Sequence, residues 1–138
     1  MTSAASAEEK EKIFVEQDGV IYYHGNHNFP VWSLGNRVGA VADLSSAYIS
    51  DDNGKWKLIC FSSFPIVVRK NGNINEAVPL EDEWRECSFW QKIRTGEFFF
   101  FRDGRVGNKV EGKAFARELS VYKMLLESAE NNMALANG

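Results

Sequence analysis

Arg102 and Arg105 flank an Asp103-Gly104 pair, with Lys109 four residues on and Phe98-Phe99-Phe100-Phe101 immediately before. A guanidinium presents a planar fork of donors that matches phosphate and carboxylate oxygens. An aromatic ring beside it offers a face on which a flat ligand can stack. Asp-Gly between two strand-like arms marks a two-residue hairpin turn. The turn sets Arg102 opposite Arg105, Phe101 opposite Val106, Phe100 opposite Gly107 and Phe98 opposite Lys109. Like charges directly across a strand pair repel, so the arginines either splay into water or hold an anion between them. Gly107 has no side chain and leaves room over Phe100. Arg102, Arg105, Lys109, Phe100 and Trp90 are therefore the candidate ligand-binding residues.

Other chemistries find less support. His24 and His27 lie three apart in one loop, but zinc sites take three or four protein ligands, and no acid stands at a matching spacing. Ser45-Ser46 and Ser62-Ser63 lack a Gly-x-Ser-x-Gly elbow. Glu81, Asp82, Glu83 and Glu86 read as a solvated helix start, not as a carboxylate pair for acid–base work. The glycines fit neither phosphate-loop nor dinucleotide spacing. Cys60 and Cys87, the only cysteines, read as buried free thiols. No catalytic group, metal or cofactor is assigned. The chain reads as a binding protein before an enzyme.

The 138 residues suit one domain, and 44% hydrophobic with 25% charged residues is a folded globular composition. A net charge of −3 disfavours nucleic-acid binding over the whole surface. Charge is unevenly placed, however. Lys92, Arg94, Arg102, Arg105, Lys109, Lys113, Arg117 and Lys123 make half of the 16 basic residues, against only Glu97, Asp103, Glu111 and Glu118 in the same stretch. No apolar run reaches the roughly 20 residues needed to span a bilayer, and the polar start has no signal-peptide core. A soluble, cytoplasmic protein without membrane association is the expectation.

The elements that must position these residues follow from turn chemistry and periodicity. Asp18-Gly19 joins Ile13–Gln17 to Val20–Tyr23 as a hairpin. Asp51-Asp52-Asn53-Gly54 joins an arm at Tyr48-Ile49 to one running from Lys55 to Phe61. Asn71-Gly72 follows an apolar arm at 64–69. Trp84, Cys87 and Trp90 at spacings of three, after an acidic start, predict a helix at about 81–95 ending at Gly96. Phe115, Leu119, Tyr122 and Leu126, widened by Val121 and Leu125, predict a C-terminal helix at about 113–130. Residues 1–11 and 131–138 read as tails around a single domain at 12–130.

The expected fold is α+β: a mainly antiparallel, rolled or barrel-like sheet built from hairpins, one inserted helix and a C-terminal helix. Four consecutive phenylalanines load both faces of one strand and need cover on both. The expected function is non-catalytic binding of an anionic small molecule, such as a nucleotide, through the hairpin at 98–109. The alternative is a protein–protein module, an inhibitor or assembly subunit, using the acidic N-terminal two-thirds or the apolar C-terminal helix. That helix carries more apolar surface than one core-facing arc needs, so a homo-oligomer through it is expected.

Overall fold

The computed structural model describes residues 12–137; the expected tail at 1–11 lies outside them. Strands β1 (Phe14–Gln17) and β2 (Val20–Tyr23) form a separate hairpin. The main sheet is antiparallel and follows the order β3 (Val31–Leu34), β4 (Val38–Asp52), β5 (Trp56–Val67), β7 (Arg85–Lys92), β8 (Phe98–Arg102), β9 (Arg105–Lys109). A short β6 (Val78–Pro79) pairs with the end of β5. This sheet curls into a half-barrel, and α1 (Ala116–Asn137) packs into its concave side. The fold is α+β. The helix continues past the expected end at 130 to Asn137.

The expected turns form where glycine and aspartate license positive φ. Asp18-Gly19 and Asp103-Gly104 both take left-handed conformations at both central positions, the geometry that matches strand twist. The curl itself comes from β4. Its pairing with β5 breaks between Asp43 and Tyr48, where β4 has extra residues. A polar knot holds this bulge. The Asn28 amide and the Ser45 hydroxyl each donate to the Asp43 carboxylate at 2.6 Å, and the Ser45 N–H donates to the Asn28 side-chain oxygen at 2.9 Å. From the far end of the chain, the Asn132 amide donates to the carbonyls of Ser45 and Ala47.

The inserted helix expected at 81–95 is absent; its core is strand β7. Spacings of three among Trp84, Cys87 and Trp90 mimicked a helical stripe, but the three residues face different surroundings. Trp84 leaves the sheet and meets Phe64 edge-on at 5.0 Å. Cys87 pairs with Phe61 and Trp90 with Leu58, on opposite faces of the sheet. The deciding constraint is β5. A central strand with one edge unpaired would bury unsatisfied N–H and C=O groups, and Arg85–Lys92 supplies the missing ladder from Trp56 to Ser63. Gly96 is left-handed as expected, but it closes a β7–β8 hairpin instead of capping a helix.

Strand alternation divides the aromatics. Phe98 and Phe100 point to the concave side with Ile59, Phe61 and Phe89, where α1 covers them. Tyr122 sits at the centre of that side. Its ring stacks on Phe89 at 4.0 Å and 6°, and lies 6.0–6.2 Å from Trp32, Phe98 and Phe100. Val121, Leu125 and Ala129 continue the buried line. A second core, of Phe14, Ile21, Tyr23, Val31, Val41, Phe64 and Ile66, lies under the β1–β2 hairpin. Removing a buried aromatic ring costs about 3–5 kcal/mol. Tyr122→Ala is therefore expected to lose about that much in urea unfolding, and Tyr122→Phe, which keeps the ring, no more than about 1 kcal/mol. Equal losses for both variants would show that the ring is not what holds the helix.

Candidate functional site

The half-barrel has a seam where its edge strands β3 and β9 do not meet. A cleft of about 360 Å3 fills it, lined by Trp32 and Ser33 from β3, Phe100 and Arg102 from β8, Arg105 to Asn108 from β9, and Phe115 and Glu118 beside the start of α1. Each wall is held from behind. The Trp32 indole N–H donates to the buried Ser63 hydroxyl at 2.9 Å, and its ring meets Phe61 edge-on. Phe100 meets Phe115 edge-on at 5.0 Å. Phe115 is 38% exposed, so an aromatic face stands open at the mouth.

Arg102 and Arg105 pair directly across the turn, as expected. Both are exposed, and among the described residues no carboxylate comes within ion-pair distance of either. Arg102 also acts on Tyr122, in the core beside the cleft. Burial, the largest cause, pushes the Tyr122 hydroxyl's pKa up, and the positive charge of Arg102 works against that rise. Glu118 is the one carboxylate lining the seam cleft. An occupant carrying a donor as well as an anionic group matches this lining.

Of the five residues singled out by sequence, Phe100, Arg102 and Arg105 come together here. Lys109 and Trp90 do not. The expected register set Phe98 against Lys109, but β9 carries a bulge after Val106 and Lys109 pairs with Phe99. A one-residue slip sends a side chain to the other face. Lys109 therefore stands on the convex side, ion-paired with Glu97 and 3.8 Å from Glu111. The pair lowers the pKa of Glu97 and raises that of Lys109, chiefly through the hydrogen bond between them. Gly107 remains beside Phe100; a Cβ there would lie 3.3 Å from the Phe100 carbonyl oxygen.

Trp90 belongs to the convex face as well. It packs edge-on to Trp56 and Phe101, and its buried indole N–H has no hydrogen-bond partner among the described residues. Among the described residues no helix covers this face. Tyr48 and Val106 flank it at 43% and 47% exposure. The helix residues expected at an interface between copies, Val121 and Leu125, lie instead in the chain's own core.

His27 stacks on Tyr22 and shares a 2.6 Å hydrogen bond with Gln17, while His24 lies against the Tyr23 ring. Among the described residues, no three His, Cys, Asp or Glu side chains gather as a metal site. Cys60 and Cys87 are free and face opposite sides of the sheet. Neither Trp32 and Phe115 in the cleft nor Arg85, which lines a neighbouring hollow between β7 and β8, was assigned to a site by sequence. Arg85 was legible in principle, since strand alternation from Phe89 puts it on the concave side. For Trp32 no local signal existed, because only the curl brings it to the seam.

Removing the Arg102/Arg105 repulsion is worth roughly 0.2–1 kcal/mol. Arg102→Ala with Arg105→Ala is thus expected to leave the melting temperature of the unliganded protein unchanged or slightly raised. A sharp fall would assign these arginines to the fold instead of to a ligand. Comparison of the chain with protein-family models, with curated proteins and with solved structures finds no match in any of the three.

Proposed function

We propose that the protein is a non-catalytic binding protein whose ligand is a small anionic molecule with a flat ring, of which a nucleotide is the leading example. The observation that carries this reading is the pair of arginines, without carboxylate partners among the described residues, at the rim of a cleft walled by Trp32, Phe100 and Phe115. Structural arginines near a domain surface are commonly drawn into ion pairs, whereas these two are left facing each other. Aromatic walls already locked by Ser63 and by ring–ring contacts lose little side-chain freedom when a ring slides between them. Binding to the native state raises its melting temperature, and the rise grows with the logarithm of ligand concentration above Kd. Scanning fluorimetry against nucleotides and other anionic metabolites is expected to give a concentration-dependent rise, absent in the Arg102→Ala/Arg105→Ala variant. Equal shifts in both proteins would remove the reading.

The open convex face favours a second reading, an assembly subunit in which a second copy covers Trp56, Trp90, Phe99 and Phe101. Charges of both signs, Lys92 and Lys109 with Glu86 and Glu97, border these rings, which suits contact with an identical surface. Light scattering at micromolar concentration is expected to give a dimer that Trp56→Glu dissociates. A monomer in the unmodified protein would end this reading.

A further inference from the structure

The seam cleft is not alone. Registered pairing between β7 and β8 stops at Phe89–Phe100. Beyond it, Arg85 to Ser88 stay paired with β5, while Phe101 and Arg102 stay paired with β9. The two strands part, and a wedge of about 480 Å3 opens between them, lined by Arg85, Cys87, Ser88, Arg102 and Tyr122 among others. Trp32, Phe100 and Arg102 line both hollows.

Alternation decides which charges look into the wedge. Arg85 lies opposite Ser63 and shares the concave side with Cys87 and Phe89. Glu86 alternates to the convex side, where the Tyr48 hydroxyl donates to its carboxylate at 3.1 Å, and it borders the wedge from there. The turn residue Asp103 stands at the rim. Among the described residues Arg85, like Arg102, has no carboxylate at ion-pair distance. Burial raises the Cys87 thiol's pKa, and the charge of Arg85 opposes that rise, as Arg102 does at Tyr122. Both guanidinium groups thus line the wedge, Phe115 lines the seam cleft alone, and Trp32 stands between the two hollows.

We propose that one nucleoside phosphate occupies both hollows, its ring in the seam cleft between Trp32 and Phe115 and its phosphate groups in the wedge on Arg85 and Arg102. This rests on the binding reading above and adds where each end of the ligand goes. Adenosine diphosphate, adenosine and inorganic pyrophosphate separate the two ends in calorimetric titrations. Loss of a charge-assisted contact to phosphate weakens binding by about tenfold. Arg85→Ala is expected to weaken the diphosphate and pyrophosphate by about that factor and to leave adenosine unchanged. Phe115→Ala is expected to weaken the diphosphate and adenosine but not pyrophosphate. Both side chains are exposed, so the variants keep their folds, which circular dichroism checks. If Arg85→Ala binds the diphosphate as the unmodified protein does, while Arg102→Ala/Arg105→Ala loses it, the two-hollow arrangement falls and the cleft reading stands. If none of the three probes binds but another anion still shifts the melting temperature through Arg102 and Arg105, the nucleoside phosphate falls alone. If no anion binds, both fall.

Discussion

The stacking of Tyr122 on Phe89 is the contact on which the rest of the architecture depends. A half-barrel has an apolar concave face and no strand to close it, and burying that face is the dominant stabilising term available to a chain of this size. One ring from the helix lies flat on the central strand β7 and reaches Trp32, Phe98 and Phe100 on both sides of the seam. The helix replaces the missing strands as a plug. Because a plug is round and a seam is straight, hollows remain where Phe115 and Tyr122 meet the parted strand ends. The candidate site is thus a by-product of how the core is closed.

The site's membership was then decided by parity. Four phenylalanines in a row specify that both faces of β8 are apolar, but not which basic residue shares a face with which ring. That depends on a single extra residue in β9, which leaves Arg105 facing the cleft and turns Lys109 to the opposite side. The same rule separates Arg85 from Glu86. Charge clusters read along a sequence become charge clusters in space only after such slips are known.

Much of the fold was legible because turns announce themselves locally. Asp18-Gly19, Asn53-Gly54, Asn71-Gly72 and Asp103-Gly104 all lie at or beside turns. The C-terminal helix was legible from its apolar line, although its deepest residues are Val121, Leu125 and Ala129 and its expected first member, Phe115, stays at the surface. Arg85–Lys92 was misread for a physical reason. Its residues carry no strong local preference, and what makes it a strand is the unpaired edge of β5, a partner distant in sequence. Within the site, Arg102, Arg105 and Phe100 were legible from one hairpin. Trp32 was not, since it arrives through the curl of β4.

That curl couples distant parts of the chain in time as well as in space. The bulge at residues 44–47 is held by Asn28 on one side and by Asn132, near the end of α1, on the other. Contacts so far apart in sequence form late, because the entropy of closing the intervening chain must be overcome first. A growing chain can make its hairpins and the Asn28–Asp43–Ser45 knot as they emerge, but the bonds from Asn132 wait until residue 132 has been added. The order of synthesis therefore places the securing of the bend by the helix, and with it the shaping of the cleft, among the last events of folding.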